Sequence, residues 1–353
     1  MQQNNRLFNC DLANHSPGKA CIIAEAGINH DGRVDKAKAL IRAAAEAGAT
    51  CVKFQAFQTE HVSSRHSISS SYMVAGSKEG ESAYELSKRL ELHADELVEL
   101  HRYAGELGLP WVASFFDEYS LALLVSLKVP VLKVASALIT DYALLQKAAV
   151  AGIPLIVSTG MASLDEIDAA VALLQKNGAP SIYLMHCVSW YPARAEDMNI
   201  RIIETLQNRY RLPVGLSDHT LGLHVACAAR TLGAKFFEKH FTLSQDDFGP
   251  DHGASVDPEE LANLIRCIDD VGKCLGTSEK LVSATEMEQR KVFRKSVVAC
   301  YPIKRGTVLQ KMHLTVKRPG LGLPPKELDK LIGRRAAQDI GQDELISWEM
   351  LER

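Results

Sequence analysis

The feature that most constrains this chain is a series of eight short, continuous apolar runs, at residues 21–25, 50–55, 110–114, 131–135, 153–158, 181–186, 212–216 and 234–238. A strand with one wet face alternates apolar and polar residues. A run that is apolar throughout is a strand covered on both faces, as in parallel sheets. Amphipathic helices fall between the runs: residues 34–47 are Ala-rich and stop at Gly48, and residues 95–106 stop at Gly108. Ser163-Leu-Asp-Glu166 is a capping box that opens a helix reaching Lys176, with Gly178 beyond it, and residues 258–275 follow the last run. Eight strand–helix alternations predict an α/β fold, a closed (β/α)₈ (TIM) barrel of about 250 residues, rather than an open sheet.

The remaining chain leaves room for one appendage. Residues 286–295 are charged, and short β-like runs follow at 296–300, 307–309, 314–317 and 345–347, with Lys304-Arg-Gly306 and Arg318-Pro-Gly320 as turns. The expected division is residues 1–284 for the barrel and 285–353 for a small, mostly-β domain. A core of that size is marginal alone, so this domain is expected to lean on the barrel or on a second subunit. One barrel link is too long. Between Gln55 and Pro110 lie a Ser-rich stretch, 63–71, and a helical segment from Ser82. It reads equally as a surface insertion or as a lid over the catalytic face.

Composition narrows the function. With 40 basic and 43 acidic residues, a net charge of -3 and no basic tract, a nucleic-acid partner is not expected. No apolar run approaches the roughly 20 residues of a membrane helix, and residues 1–18 lack the basic-then-apolar pattern of a secretory signal. The eight cysteines are scattered without a Cys-x-x-Cys pair, which reads as reduced thiols in a cytoplasm.

Barrel active sites form at the C-terminal ends of the strands. The polar residues there are Glu25, Lys53, Gln55, Ser114, Lys133, Ser136, Ser158, His186, Ser189, Tyr191, Ser217, Asp218, His219, Glu238 and His240, with Asn29 and His30 in the first loop. A lysine inside an apolar run needs an anionic partner or a lowered pKa. Lys53 and Lys133 are therefore either ion-paired with a nearby Glu25 or Glu238, or they hold a small polyanion. In the second case Ser136, Ser158 and Ser217, with backbone N–H groups, would complete a phosphate and carboxylate cradle. A Schiff-base lysine is a further reading. His219 and His240, at adjacent strand ends beside carboxylates, read as ligands of a divalent metal. Imidazole with oxygen donors suits Mn²⁺, with Mg²⁺ or Co²⁺ as substitutes. Asp251 would supply an oxygen or contact substrate.

These residues resemble the sialic acid (nonulosonate) synthase family over nearly the whole chain. The marks are Ile22-Ile-Ala-Glu-Ala-Gly-Ile-Asn-His-Asp-Gly32, Val52-Lys-Phe-Gln55, Lys133-Val-Ala-Ser136, Ser158-Thr-Gly-Met161, Gly215-Leu-Ser-Asp-His-Thr220, Glu238-Lys-His-Phe-Thr242, Gly249-Pro-Asp251 and Val316-Lys-Arg-Pro-Gly320. The C-terminal segment is similar to the family's antifreeze-like (SAF) domain. The resemblance implies condensation of phosphoenolpyruvate with an N-acetylated aminosugar to a nine-carbon 2-keto acid and phosphate. It also implies Mn²⁺ or Mg²⁺, and a domain-swapped homodimer in which Arg318 reaches the partner's site. It assigns phosphate and carboxylate to Lys53, Lys133, Ser136, Ser158, Ser189 and Ser217, proton handling to Glu25, and sugar contacts to Tyr191 and Asp251. Gln55 and Ser114 complete the expected substrate shell.

The chain departs from the family at three places. Ser189 stands where sialic acid synthases often have Asn, Leu138 where many have Glu, and Arg194 where a neutral residue is common. These positions face the sugar in the family, so the acceptor stays open. Phe293 is the nearest match to the family's aromatic residue at the start of the small domain. The competing readings are a lysine-dependent pyruvate aldolase and a non-catalytic sugar-binding protein.

Overall fold

A computed structural model of the chain describes residues 6–8, 10–11 and 19–352. Most of the N-terminal stretch searched for a secretory signal lies outside them. The eight apolar runs become β1 (Cys21–Gly27), β2 (Cys51–Ala56), β3 (Trp111–Phe115), β4 (Leu132–Val134), β5 (Leu155–Ser158), β6 (Ile182–Cys187), β7 (Val214–Asp218) and β8 (Phe236–His240). All pair in parallel, and β8 closes on β1 to complete the barrel. Helices follow each strand: α1 (Val34–Glu46), α2 (Ala94–Glu106), α3 (Glu118–Ser126), α4 (Tyr142–Val150), α5 (Leu164–Lys176), α6 (Ile202–Tyr210), α7 (His224–Thr231) and α8 (Pro258–Leu275). α5 starts at the expected capping box, where the Glu166 amide donates to the Ser163 hydroxyl and the Ser163 amide donates to the Glu166 carboxylate. α8 has Pro258 in its first turn behind an Asp257 cap, where the missing N–H costs nothing.

Strand ends differ from the expected runs. The run at 234–238 begins as a strand only at Phe236 and continues to His240, and the run at 212–216 continues to Asp218. Hydropathy does not end a parallel strand where an inward polar residue still pairs its backbone, and His240 is in register with Glu25.

Side chains alternate across each strand. Outward residues pack against the helices in the main core. Inward residues form two storeys. The lower is apolar: Cys21, Ile23, Cys51, Val112, Val131, Ile156, Tyr183, Met185 and Phe236, with Leu7 of the N-terminal hairpin joining them. The upper storey, at the C-terminal mouth, is polar.

The long link between β2 and α2 contains short helices at Thr59–Val62, Ser71–Ala75 and Ala83–Leu90. Its Tyr72 ring lies 4.8 Å from Tyr191 of the loop after β6, so the insertion reaches the catalytic face.

The chain divides into two compact units, Met1–Gly276 and Thr277–Arg353, eight residues before the expected boundary. The polar segment ahead of the charged helix belongs with the second unit. That unit has α9 (Ala284–Phe293) and an antiparallel pair, β9 (Ser296–Ala299) and β10 (Leu314–Lys317). Its own core includes Val297, Ile303, Leu309, Leu331, Ala336, Ile340 and Ile346. The other expected β-runs shrink to single bridges, Val308 with Arg335 and Val298 with Leu345. Among the described residues no helix is long and apolar enough to cross a membrane.

Candidate active site

The period-two alternation sorts the polar residues at the strand ends. Glu25, Lys53, Gln55, Ser114, Lys133, Ser136, Ser158, Ser189, Tyr191, Ser217, His219 and His240 all line one cavity of about 290 Å³ at the barrel mouth. Asp218 points the other way and binds the buried Lys239 at 2.9 Å. His186 is held by the Met198 carbonyl at 2.6 Å, and Asn29 donates to the Phe241 carbonyl and to Ser255; both support loops.

The two lysines stand in a buried ring. Lys53 Nζ lies 2.8 Å from Glu25 and 3.7 Å from Glu238, and donates to the Ser114 hydroxyl at 3.1 Å. Lys133 Nζ lies 3.4 Å from Glu238 and donates to Ser158 at 2.7 Å. Glu238 also accepts from Ser217 at 2.9 Å. The ion-paired reading of the lysines is therefore present as geometry.

Burial works against the Lys53 charge, but Glu238 and Glu25 outweigh it and hold its pKa above the ordinary lysine value. For Lys133 burial wins over the attraction of Glu238, Lys53 adds repulsion, and the pKa falls. Burial alone would raise the Glu238 pKa, yet Lys133 and Lys53 pull it down to about 2. Two ammonium and two carboxylate groups cancel. The ring therefore offers no net positive charge of its own to an anion entering the mouth.

The two imidazoles are where a cation could sit. Their ring centroids lie 5.2 Å apart, and both residues are buried. His219 Nδ1 faces the Val188 carbonyl at 2.8 Å, which fixes the proton there and leaves Nε2 a lone pair. His240 Nδ1 makes no hydrogen bond, and its nearest acid oxygen, on Asp251, is 3.4 Å away. Burial opposes charge on His240, but Asp251 and then Glu25 keep its pKa above the ordinary value. A buried nitrogen without a hydrogen bond, beside a second oriented imidazole and carboxylates, is a donor set that fits a divalent ion. No third protein ligand joins them at metal spacing among the described residues, so water and substrate would complete the coordination.

Three ligand atoms within 4.8 Å of one another do occur at Asp31, Asp247 and His252, a cluster the sequence reading did not single out. There Lys36 Nζ lies 2.5 Å from Asp31 and 2.6 Å from Asp247, in the place a cation would take. His252 also meets Thr242 Oγ1 at 2.6 Å. The cluster clasps the loop after β1 to the loop after β8, the loop that carries Asp251.

Close approach shapes the floor of the cavity. The Gly160 amide donates to Ser136 Oγ at 3.1 Å. A methyl group at Gly160 would stand 2.3 Å from Ser189 Oγ and 2.8 Å from Ser136 Oγ. Tyr191 stacks on His219 at 4.1 Å and meets His240 edge-on at 5.3 Å.

Two positions expected to face the sugar do not line this cavity. Leu138 is buried in the core between strands and helices, and Arg194 is exposed and bound to Asp197 at 2.8 Å. Arg318 belongs to the second unit, where its guanidinium lies 5.0 Å from the Phe293 ring. Residues not anticipated as part of the cavity wall include Tyr72, Phe116 and Cys187. Cys187 shares the inward parity of Met185 and could have been found from it; Tyr72 carries no such signal.

Barrel and mouth define a (β/α)₈ protein whose chemistry sits in a polar upper storey over an apolar floor. Comparison with known proteins supplies the family. The NeuB family model matches residues 40–280 and the SAF domain model matches residues 294–352. The chain belongs to the NeuB family, with a SAF domain at its C-terminus. It is 37% identical to the N,N'-diacetyllegionaminic acid synthase of Legionella pneumophila over 353 residues, 99% of each chain. It is 37% identical to the N-acetylneuraminate-9-phosphate synthase of Homo sapiens over 333 residues, 94% of this chain and 92% of that one. The crystal structure of N-acetylneuraminic acid synthetase from Leptospira borgpetersenii, in complex with citrate, superposes with a TM-score of 0.69 at 35% identity, covering 78% of this chain and 91% of that one. Its relatives are thus synthases of sialic-acid-like sugars.

Proposed function

We propose that this protein condenses phosphoenolpyruvate with an N-acetylated aminosugar, N-acetylmannosamine or a 2,4-diacetamido-6-deoxy relative, giving a nine-carbon 2-keto acid and phosphate. The observation that carries the reading is the convergence of Lys53, Lys133, five serines and two imidazoles on one mouth. Lys53 and Lys133 hold phosphate and carboxylate, with Ser136, Ser158, Ser189 and Ser217 donating hydrogen bonds; Gln55 and Ser114 complete the shell. The methylene carbon of phosphoenolpyruvate attacks the sugar aldehyde, forming the new C–C bond. Positive charge develops at the phosphate-bearing carbon, where water adds. Glu25, 2.8 Å from Lys53, orients that water and accepts its proton. The C–O bond to the phosphate then breaks, the added hydroxyl closes to the ketone and its proton leaves with the phosphate, while the proton on Glu25 passes to the alkoxide left where the aldehyde C=O opened. Preorganised cations suit a substrate that is anionic throughout.

His219 and His240 would hold a divalent ion, Mn²⁺ in the first instance. When bound it supplies Lewis acidity at the aldehyde oxygen and the positive charge that the neutral ring lacks. Tyr191 and Asp251 contact the sugar. The same proposal includes a homodimer in which the small unit of one copy covers the barrel of the other and contributes Arg318.

The test is phosphate release by the purified full chain. Release that requires phosphoenolpyruvate, an aminosugar and Mn²⁺ together is the expected result; none with any acceptor sugar refutes it. One feature favours a second reading: the lowered pKa of Lys133 suits a Schiff-base nucleophile. Borohydride trapping of a pyruvate adduct on Lys133 would establish that aldolase chemistry instead.

A further inference from the structure

Beside the mouth lies a second cavity of about 190 Å³, roofed by the insertion. Its apolar walls include Phe57, Val62, Met73, Leu86 and Leu90, with the small hydroxyls of Ser63 and Ser87 between them. It shares Gln55, Tyr72, Phe116 and Tyr191 with the catalytic cavity. The two cavities are therefore direct neighbours, with the Tyr72–Tyr191 pair between them. None of the anion-cradle lysines or serines reaches this annex.

Its charge is as informative as its shape. No basic residue lines it, and its one carboxylate is Asp251. The cations of the overlying helices are engaged elsewhere: Lys88 with Glu60 and Glu91, and Arg89 with Glu81. A phosphate group entering here would be stripped of water, meet a carboxylate and find no counter-ion. A methyl or acyl group would meet aromatic and aliphatic carbon.

We infer that this annex is the specificity site for the acceptor sugar: it receives apolar substituents, a second acylamino group or a deoxy methyl, at the end remote from the aldehyde, and it disfavours a phosphorylated sugar. The inference rests on the condensation proposed above, which puts the aldehyde at His219 and His240 and so directs the rest of the sugar past Tyr191. Leu86, Leu90 and Met73, supplied by the insertion, then set which nonulosonate is made.

The test uses the full-length protein with Mn²⁺ and phosphoenolpyruvate, and three acceptors: N-acetylmannosamine, its 6-phosphate, and the neutral 2,4-diacetamido-6-deoxy relative. kcat/KM for the last should exceed that for N-acetylmannosamine by about tenfold or more, the discrimination a hydrophobic pocket gives for one or two apolar groups. The 6-phosphate should be poorest. Ser87→Phe, which fills the annex from the helix Ala83–Leu90, should raise KM for the diacetamido sugar at least about tenfold more than KM for N-acetylmannosamine. Met73→Lys, a second variant on a different helix, should move the ratio toward the 6-phosphate. Preference for the 6-phosphate by the unaltered protein, equal use of all three sugars, or equal KM changes for all three in both variants would overturn the assignment. Absence of phosphate release with every sugar would instead remove the condensation reading itself.

Discussion

Glu238 holds the upper storey together, and its replacement by Gln makes the sharpest test of the electrostatics. Glu238 lies within 3.7 Å of Lys53 and 3.4 Å of Lys133, and it is 4% exposed. Its pKa is drawn from the ordinary 4.5 to about 2 by the two ammonium groups, against the opposing pull of burial. At ~1.4 kcal/mol per pH unit this is ~3 kcal/mol of stability at neutral pH, similar to the ~3–5 kcal/mol expected when one partner of a buried pair is removed. Glu238→Gln should then lower Tm by ~6 °C or more at pH 7, taking ~2 °C per kcal/mol for a chain of this size. The pH dependence identifies the cause. Lys53 keeps Glu25, but among the described residues Lys133 pairs with no carboxylate other than Glu238, and in the variant it must be buried nearly alone. Its folded pKa, already below the ordinary value, drops further. Between that pKa and the unfolded value near 10.5, the unfolded chain binds more protons, so the variant's stability rises with pH. Urea unfolding from pH 7 to pH 10 should show the deficit of Glu238→Gln shrinking. A deficit that stays constant across that range, or no deficit at pH 7, would refute the ring.

His240→Ala should leave the barrel folded by circular dichroism while Mn²⁺ binding by calorimetry and metal-dependent turnover are both lost; unchanged Mn²⁺ affinity would move the metal elsewhere. Gly160→Ala forces Ser189 and Ser136 aside and should raise KM for phosphoenolpyruvate about tenfold, consistent with the ~1–3 kcal/mol of overpacking, and an unchanged KM would remove that loop from the anion cradle. Arg318→Ala should weaken sugar use more than phosphoenolpyruvate use, with the proposed dimer intact by light scattering; loss of that dimer instead would make the residue structural.

The barrel was legible because its signal is local. A strand covered on both faces must be apolar throughout, and eight such runs leave few alternatives. The inward parity of Lys53 and Lys133 could be read from the same runs. Their partners could not be chosen by sequence: Glu25 and Glu238 lie on other strands, and only the register brings Glu25 beside Lys53. The clasp at Lys36, Asp31, Asp247 and His252 joins residues 211 positions apart and leaves no periodic trace. Tyr72 was invisible for a related reason, since a short helix in a Ser-rich link gains its position from the loops it touches. In the small unit, runs such as 307–309 form a single bridge each, because alternating hydropathy over three residues does not specify a ladder.

The apolar lower storey has a kinetic meaning. With Tyr183, Phe236 and Met185 packed across the cylinder and Leu7 beneath them, the interior is a vessel with one opening. Whatever lies deepest must arrive first and depart last. A three-carbon anion seated on Lys53 and Lys133 would be sealed in by the sugar that follows it, and its liberated phosphate would have to wait for the larger product to clear the neck.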